Sequence, residues 1–383
     1  MSMPLQMRAS KAAISTGRLV KPKVAIVAAG SGSGETGGAE RFFAGLRDAL
    51  LAIGLDVTLL QIPSNEANFD TIKESYLRFY DLDVSAYDGV ITSKAPSYLV
   101  RHPNHVCYLQ HTMRVFYDMF EVEFGAGSAQ LSEQRVLIHA LDTAALSAPR
   151  ARKVFAIGEE VAARLRRYNG LNAEVIRHPT NLTGLRQGAF RHVFMPGRLH
   201  RWKRVDLAIE AMKYVKAPVE LVIAGAGEDA GRFKALAAGD PRIRFTGWIS
   251  DAELLDYYSN ALAALFVPRN EDLGLITYEA FHSGKPVITC SDSGEPARVV
   301  ENDRTGFVCA PTPQAIAARI EQLAHDPVLA ASMGQKGLHA AEQVTWEKVA
   351  ITLASALDLP FEMPDIRHAV PLEPALSKWV CHD

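Results

Sequence analysis

Short β-branched runs alternate with longer amphipathic stretches along this chain, and the alternation occurs twice. The first series begins with a run over 23–28, an amphipathic stretch over 38–53 and a second run over 57–61. A second series starts at residues 192–195 and continues with the same pattern. Such alternation is typical of βαβ units that build a parallel sheet. The sequence therefore predicts an α/β protein with two Rossmann-like, doubly wound parallel-sheet domains.

A polar stretch between the two series predicts the domain boundary. Residues 181–188 contain glycine and show neither helical nor strand periodicity, as is common in interdomain linkers. We predict an N-terminal extension over 1–20, a first domain over 21–183, a second domain over 184–345, and a C-terminal helix with a tail over 346–383. Ligands of doubly wound sheets bind beyond the carboxyl ends of the strands. We therefore expect the functional site in a cleft between the two domains.

Charge and cysteine content narrow the function. The chain has 41 Lys+Arg and 43 Asp+Glu, a formal net charge of -2, so it lacks the positive excess that nucleic acid binding requires. Its four cysteines are widely spaced and form no Cys/His cluster, so the sequence indicates neither a zinc site nor a disulfide framework. This cysteine pattern fits a protein of the reducing cytoplasm. The first 20 residues lack the apolar run of a secretory signal, and no stretch approaches the ~18 apolar residues of a membrane span. Any membrane contact is therefore expected to be peripheral.

The segment over 268–288 is the most informative part of the chain for chemistry. It contains two carboxylates, Glu271 and Glu279, near the start of a predicted helix. The free amides near Leu273, Gly274 and Leu275 and the helix dipole favour a bound diphosphate. Glu279 can accept hydrogen bonds from a ribose diol, because an ionised carboxylate offers paired acceptors. By spacing alone, two solvated glutamates at a helix start are the favoured interpretation.

A second candidate site segment precedes it. Gly197, Arg198 and Lys203 lie between a predicted strand and a predicted helix. The two cations can neutralise phosphates and stabilise the charge that builds up on a leaving nucleoside diphosphate. Each cation alone is also an ordinary surface residue.

Taken together, these segments resemble the group 1 retaining glycosyltransferases of family 4, which have the GT-B architecture of two facing Rossmann-like domains. The resemblance is carried by GRLHRWKRVD at 197–206, AGAGED at 224–229, FTGWISDAELLDYYSNA at 245–261, and the Glu-x7-Glu pattern at 271–279 followed by SGKPVI. It extends over most of residues 23–350. Each piece is weakly specific, whereas their combination is highly specific.

The resemblance implies roles for individual residues. Arg198 and Lys203 would contact the donor phosphates, Glu271 the hydroxyls of the transferred sugar, and Glu279 the ribose. The amides of Leu275 and Ile276 would bind the pyrophosphate, and the remaining donor-site residues would be Gly197, Gly225, Gly227, Leu273 and Gly274. The family further implies that the first domain binds the acceptor, that the C-terminal helix crosses back to it, that anomeric configuration is retained, and that no cofactor or obligatory metal is needed.

Two departures from the family pattern stand out. Where members usually have Phe-Gly after the first glutamate, this chain has Leu273-Gly274, which keeps an apolar residue. Where they often have Gly-Gly-Pro-x-Glu, this chain reads GEPAR over 294–298, so a carboxylate is displaced to Glu295 and Arg298 stands in its place. We therefore expect the contacts with the donor's base or sugar to differ from the family pattern.

A glycine-rich loop follows the first predicted strand. Residues 32–37 match GxGxxG, which also occurs in nicotinamide-dependent oxidoreductases, but no acidic residue ends the second strand as those enzymes require. In the resembling family, the stretch containing Gly37, Gly38, Glu40 and Arg41 faces the acceptor and the donor phosphate. A plain tight turn is the alternative.

His111 and Arg114 form the last predicted site segment. His111 follows the run over 106–109, where a histidine in a cleft can bind a sugar or polarise a reacting group. Polymer-building members of the family resemble this stretch with His-Thr-Pro-Met-Arg, although the proline is absent here. A structural histidine is the alternative.

The resemblance implies a transferase that moves a hexose from GDP-mannose or a UDP-hexose to a glycan or lipid-linked acceptor of a bacterial surface polysaccharide. Six cations between Arg150 and Arg167 suggest contact with the anionic inner-membrane surface, or else a solvated helix face. Three other functions stay open at this point: a non-catalytic nucleotide-sugar-binding protein, an NAD-dependent oxidoreductase and a sugar epimerase.

Overall fold

The computed structural model describes residues 21–30 and 38–362, which form two parallel six-stranded sheets flanked by helices. The first sheet has the strand order β2-β1-β3-β4-β5-β6. Its strands are β1 (Lys23–Gly30), β2 (Asp56–Pro63), β3 (Gly89–Thr92), β4 (His105–Leu109), β5 (Lys153–Ala156) and β6 (Glu174–Val175). The central strands are apolar on both faces, because helices cover both sides of a parallel sheet.

Five helices surround the first sheet. They are α1 (Gly38–Ala52), α2 (Phe69–Tyr80), α3 (Phe120–Phe124), α4 (Ala129–Leu146) and α5 (Glu159–Asn169). Their ends follow local chemistry: Asn68 caps α2 in a capping box, and α5 stops at Gly170, whose φ of 67° is the left-handed conformation of a helix C-terminus.

The second sheet repeats this architecture with the order β12-β11-β10-β7-β8-β9. Its strands are β7 (His192–Pro196), β8 (Glu220–Ala224), β9 (Ile243–Gly247), β10 (Ala261–Leu265), β11 (Val287–Cys290) and β12 (Gly306–Cys309). Its helices are α6 (Val205–Met212), α7 (Ala230–Ala237), α8 (Asp251–Asn260), α9 (Leu275–His282), α10 (Glu295–Val299), α11 (Pro313–His325) and α12 (Pro327–Ala341). The predicted pair of doubly wound parallel sheets is confirmed.

The last described helix, α13 (Trp346–Ala356), packs against α1 of the first domain. Trp346 lies 5.7 Å from the ring of Phe42 and stacks on His178 at 5.0 Å. Gly45 makes this packing close, because a Cβ atom there would lie 2.6 Å from the Trp346 ring. The chain therefore returns from the second domain to the first. Among the described residues, no helix is both long and apolar enough to cross a bilayer.

Candidate active site

Three glycine loops pack edge to edge at the carboxyl ends of β7, β8 and β9. The Gly197 N–H donates to Ala224 O at 2.9 Å, and the Gly225 N–H donates to Gly247 O at 2.8 Å. A Cβ atom on Gly225 would lie 2.0 Å from Gly197 O, and one on Gly227 would lie 2.4 Å from Leu199 O. Gly225 and Gly227 are therefore required by contacts between the loops themselves, in addition to any role toward a ligand.

The N-terminus of α9 presents free amides at the same sheet edge. Its N-cap, Gly274, has a φ of 76° and supplies no side-chain cap to the first turn, which contains Leu275 and Ile276. A Cβ atom on Gly274 would lie 2.7 Å from the Phe266 ring. Leu273 is buried in the core, so only its backbone can face a ligand. Uncapped amides and the helix dipole make this terminus suited to an anion.

Lys203 and Glu271 meet beside these amides. The Lys203 ammonium lies 2.6 Å from the Glu271 carboxylate, and both side chains are only partly exposed. Arg198 is 69% exposed and pairs loosely with Glu228 at 3.2 Å. The edge thus carries two cations, one of which is neutralised internally and one of which is accessible to an incoming phosphate.

Glu279 is already hydrogen-bonded by the protein. Its carboxylate accepts from the Tyr258 hydroxyl at 2.7 Å and from the Thr180 hydroxyl at 3.1 Å. Burial raises the pKa of Glu279, although these two hydrogen bonds act in the opposite direction. Thr180 lies in the stretch that connects β6 to β7.

His111 follows β4 in the first domain. Its Nδ1 donates to Thr112 O at 2.9 Å, because a carbonyl can only accept. This bond places the proton of a neutral imidazole on Nδ1 and leaves Nε2 as an acceptor. Burial lowers the pKa of His111, so the ring is neutral at pH 7.

Arg114 and Arg41 reach the second domain from the first. Arg114 pairs with Asp118 at 2.7 Å and lies 5.1 Å from the Trp202 ring. Arg41, in the first turns of α1, pairs with Asp251 at the start of α8 at 2.6 Å. Both predicted acceptor-side arginines therefore lie at the domain interface.

Part of the predicted glycine loop lies outside the described residues. Gly37 and the GxGxxG match at 32–37 are not among the described residues. Gly38 and Glu40 lie in the first turn of α1, but the Glu40 side chain is outside the described part of the chain. Of this segment, the structure gives a side-chain position only for Arg41.

The proposed basic surface over 150–167 is wrong for Arg164. Its side chain is 1% exposed and forms ion pairs with Asp118 at 2.7 Å and with Asp272 of the second domain at 2.6 Å. The amphipathic pattern of α5 gives no signal for a partner in another domain. Arg152 and Lys153 remain near the surface, where each pairs with an acidic residue.

The departure from the family pattern over 294–298 also involves the domain interface. Glu295 is fully buried, pairs with Arg177 at 2.6 Å and accepts from the Glu160 backbone N–H at 3.0 Å. Arg298 lies 3.5 Å from the Glu160 carboxylate. Glu295 and Arg298 therefore both contact the first domain. Within the described ranges, no group of three or more His, Cys, Asp or Glu side chains could hold a metal ion.

Comparison with known proteins gives consistent results. Residues 186–339 match the family model described as glycosyl transferases group 1. D-inositol 3-phosphate glycosyltransferase of Streptomyces avermitilis is 25% identical over 387 aligned residues, which cover 84% of this chain and 83% of that protein.

Solved structures share the fold. Sucrose-phosphate synthase from Thermosynechococcus elongatus superposes with a TM-score of 0.70 at 19% identity, covering 88% of this chain and 98% of that one. Anabaena HepE, solved in complex with UDP and glucose, superposes with a TM-score of 0.66 at 16% identity, covering 88% of this chain and 99% of that one. At these identities, the structural likeness bears on the architecture alone.

Proposed function

We propose that this chain, which matches the group 1 glycosyltransferase model over residues 186–339 and has the GT-B fold, is a retaining hexosyltransferase of the family 4 type. Its donor is GDP-mannose or a UDP-hexose, and its acceptor is a glycan or lipid-linked sugar of a bacterial surface polysaccharide. One observation carries the proposal: the Lys203–Glu271 pair lies beside the uncapped amides of α9, at the edge where the loops of β7 and β10 meet.

The donor diphosphate binds at this edge. The amides of Leu275 and Ile276 receive its oxygens, and Arg198 and Lys203 balance its charge. Lys203 then exchanges its carboxylate partner for phosphate, which frees Glu271 to accept hydrogen bonds from the sugar hydroxyls.

The nucleoside extends from the diphosphate toward α8. Glu279 lies one turn along α9 and is hydrogen-bonded to Tyr258 of α8, so a ribose next to Glu279 directs the base toward the β9–α8 side of the domain. The contact of Glu279 with Thr180 is replaced by the ribose diol. HepE, which was solved with UDP and glucose, gives a precedent for a uridine donor in this fold.

The chemical step is a front-face displacement. The acceptor hydroxyl attacks the anomeric carbon from the side on which the nucleoside diphosphate leaves, and the leaving phosphate oxygen takes the hydroxyl proton. Stabilisation of the leaving group by Arg198, Lys203 and the α9 amides supplies much of the catalysis, so the proposal requires no obligatory metal or enzymic nucleophile. The Nε2 acceptor of His111 orients a hydroxyl of the sugar or the acceptor.

The acceptor binds on the first-domain side of the cleft. His111, Arg114 and Arg41 line this side. The family resemblance assigns Gly37, Gly38 and Glu40 to the same side. The stretch around His111 resembles that of polymer-building family members, which favours a glycan acceptor over a small metabolite. Peripheral contact with the inner membrane would bring the protein to a lipid-linked acceptor.

Thermal stabilisation by a ligand panel tests the proposal. The panel contains UDP, GDP, ADP, their sugars and NAD, and it is applied to the wild type, Glu279→Ala and the matched control Glu301→Ala, which removes an exposed glutamate. Saturation at ~100 times the dissociation constant adds about 2.7 kcal/mol of stability. We expect one nucleoside diphosphate to stabilise the wild type and the control but not Glu279→Ala. Stabilisation by NAD alone would overturn the proposal.

A further inference from the structure

Two carboxylates that face the first domain flank Glu271 in the second domain. Asp272 is its neighbour in the chain, and Glu295 donates its backbone N–H to Glu271 O at 2.9 Å. The Glu271 N–H in turn donates to Ser293 O at 2.9 Å, so both backbone groups of Glu271 are held by the loop that carries Glu295. Contacts that fix Asp272 or Glu295 therefore also help to fix the position of Glu271.

Helix α5 of the first domain contacts both carboxylates. Its first turn gives the Glu160 N–H to Glu295 at 3.0 Å, and Arg164, one turn later, pairs with Asp272 at 2.6 Å. Gly158, which precedes α5, permits this approach, because a Cβ atom there would lie 2.7 Å from both Asp272 O and the Glu295 carboxyl carbon. The N-terminus of α5 thus binds the Glu295 carboxylate, and Arg164, four residues after Glu160, binds the Asp272 carboxylate.

Arg164 is held in position by a residue of its own domain. Its guanidinium lies 2.7 Å from Asp118 of its own domain, and Asp118 also pairs with Arg114. Burial would raise the pKa of Asp272, but Arg164 and Arg114 hold it below its usual value, so the carboxylate stays charged. Losing one partner of a buried pair leaves the other charge uncompensated, which is strongly destabilising for that contact.

We propose that α5 positions Glu271 through the contacts of Arg164 with Asp272 and of the Glu160 amide with Glu295, and that recognition of the donor's sugar therefore requires the two domains to be docked. Asp272, Glu295 and Arg164 are positioning residues. The inference rests on the role of Glu271 proposed above. The nucleoside diphosphate binds within the second domain and does not need this contact. The sugar is therefore recognised only when the domains are docked, whereas the nucleoside diphosphate binds whether or not they are docked.

The test is a comparison of two affinities in each variant. Isothermal titration measures the binding of the nucleoside diphosphate selected by the ligand panel and of its nucleotide sugar to the wild type, Asp272→Asn and Arg164→Met. We expect the variants to bind the nucleotide sugar at least about tenfold more weakly and the nucleoside diphosphate within about twofold of the wild type. The matched control is Arg304→Met, which removes an exposed ion pair with Glu301 and should change neither affinity.

Two further measurements keep the result decisive. The double variant Asp272→Asn/Arg164→Met should bind the nucleotide sugar no more weakly than the weaker single variant, because both substitutions break one contact. Glu295→Met, whose side chain has no oxygen to accept from the Glu160 N–H, should show the same selective loss, and it tests the second contact if Arg164→Met does not fold. Equal losses for both ligands, or no loss for either, would overturn the inference. A wild type that binds neither ligand would instead overturn the proposed function.

Discussion

Lys285 gives a prediction with a worked magnitude. Its side chain is fully buried, and its ammonium donates to Ala189 O at 2.7 Å and to Gly188 O at 3.4 Å in the connection between the domains. It also lies 3.6 Å from the centre of the Phe190 ring. Within the described part of the chain, no carboxylate lies within ion-pair distance. Burial therefore lowers the pKa of Lys285 from 10.5 to about 8.

The lowered pKa fixes the sign of a pH dependence. Between pH 8 and 10.5, the unfolded chain holds the proton on Lys285 while the folded protein releases it, so stability rises with pH in this window. From these two pKa values, the Lys285 contribution to the free energy of unfolding increases by about 2 kcal/mol between pH 7.5 and 9.5. Below pH 7.5 the contribution is nearly constant.

Urea denaturation of the wild type and Lys285→Met at both pH values measures this quantity. Thiols and tyrosines of the unfolded chain also titrate in this range, but they are common to both proteins and cancel in the difference. We expect the stability of the wild type relative to the variant to grow by about 2 kcal/mol as the pH rises. An unchanged difference between the two proteins would refute the assignment of a buried, charged Lys285.

Three further substitutions probe the site and its supports. Lys203→Met should lower kcat/KM at least about 100-fold in a donor turnover assay, because it removes a charge aimed at the leaving group, whereas the exposed control Lys213→Met should not. Gly225→Ala should cost more than about 2 kcal/mol in urea denaturation, since its Cβ atom would lie 2.0 Å from Gly197 O. Tyr117→Phe should cost about 1–3 kcal/mol in the same assay, because it removes a 2.7 Å hydrogen bond to the buried Asp142. Unchanged stability in either of the last two variants would contradict the packing described.

The fold follows from the sequence because its signals are local. Buried parallel strands are continuous apolar runs and their crossover helices are amphipathic, so each element is recorded in its own residues. The predicted donor-site residues are also marked by local signals, since Arg198, Lys203 and the Glu271–Glu279 pair lie in short segments that follow strands.

Contacts between the domains do not follow from the sequence. Arg164 lies on a helix with several other cations, and only the docked second domain distinguishes it from a surface residue. Glu295 likewise reads as a departure from a family pattern until Arg177 and the Glu160 amide are placed beside it. The glycines at 225 and 227 suggest phosphate binding, whereas their immediate requirement is close packing between loops. Partners distant in the chain decide each of these roles.

The position of the bound nucleotide tests the central claim most directly. A crystal structure with the nucleoside diphosphate selected by the ligand panel should show its phosphates on the Leu275 and Ile276 amides, with the Lys203 ammonium moved from Glu271 to phosphate. A nucleotide bound instead at the carboxyl edge of the first sheet, beside residues 32–37, with the Lys203–Glu271 pair intact, would contradict the account.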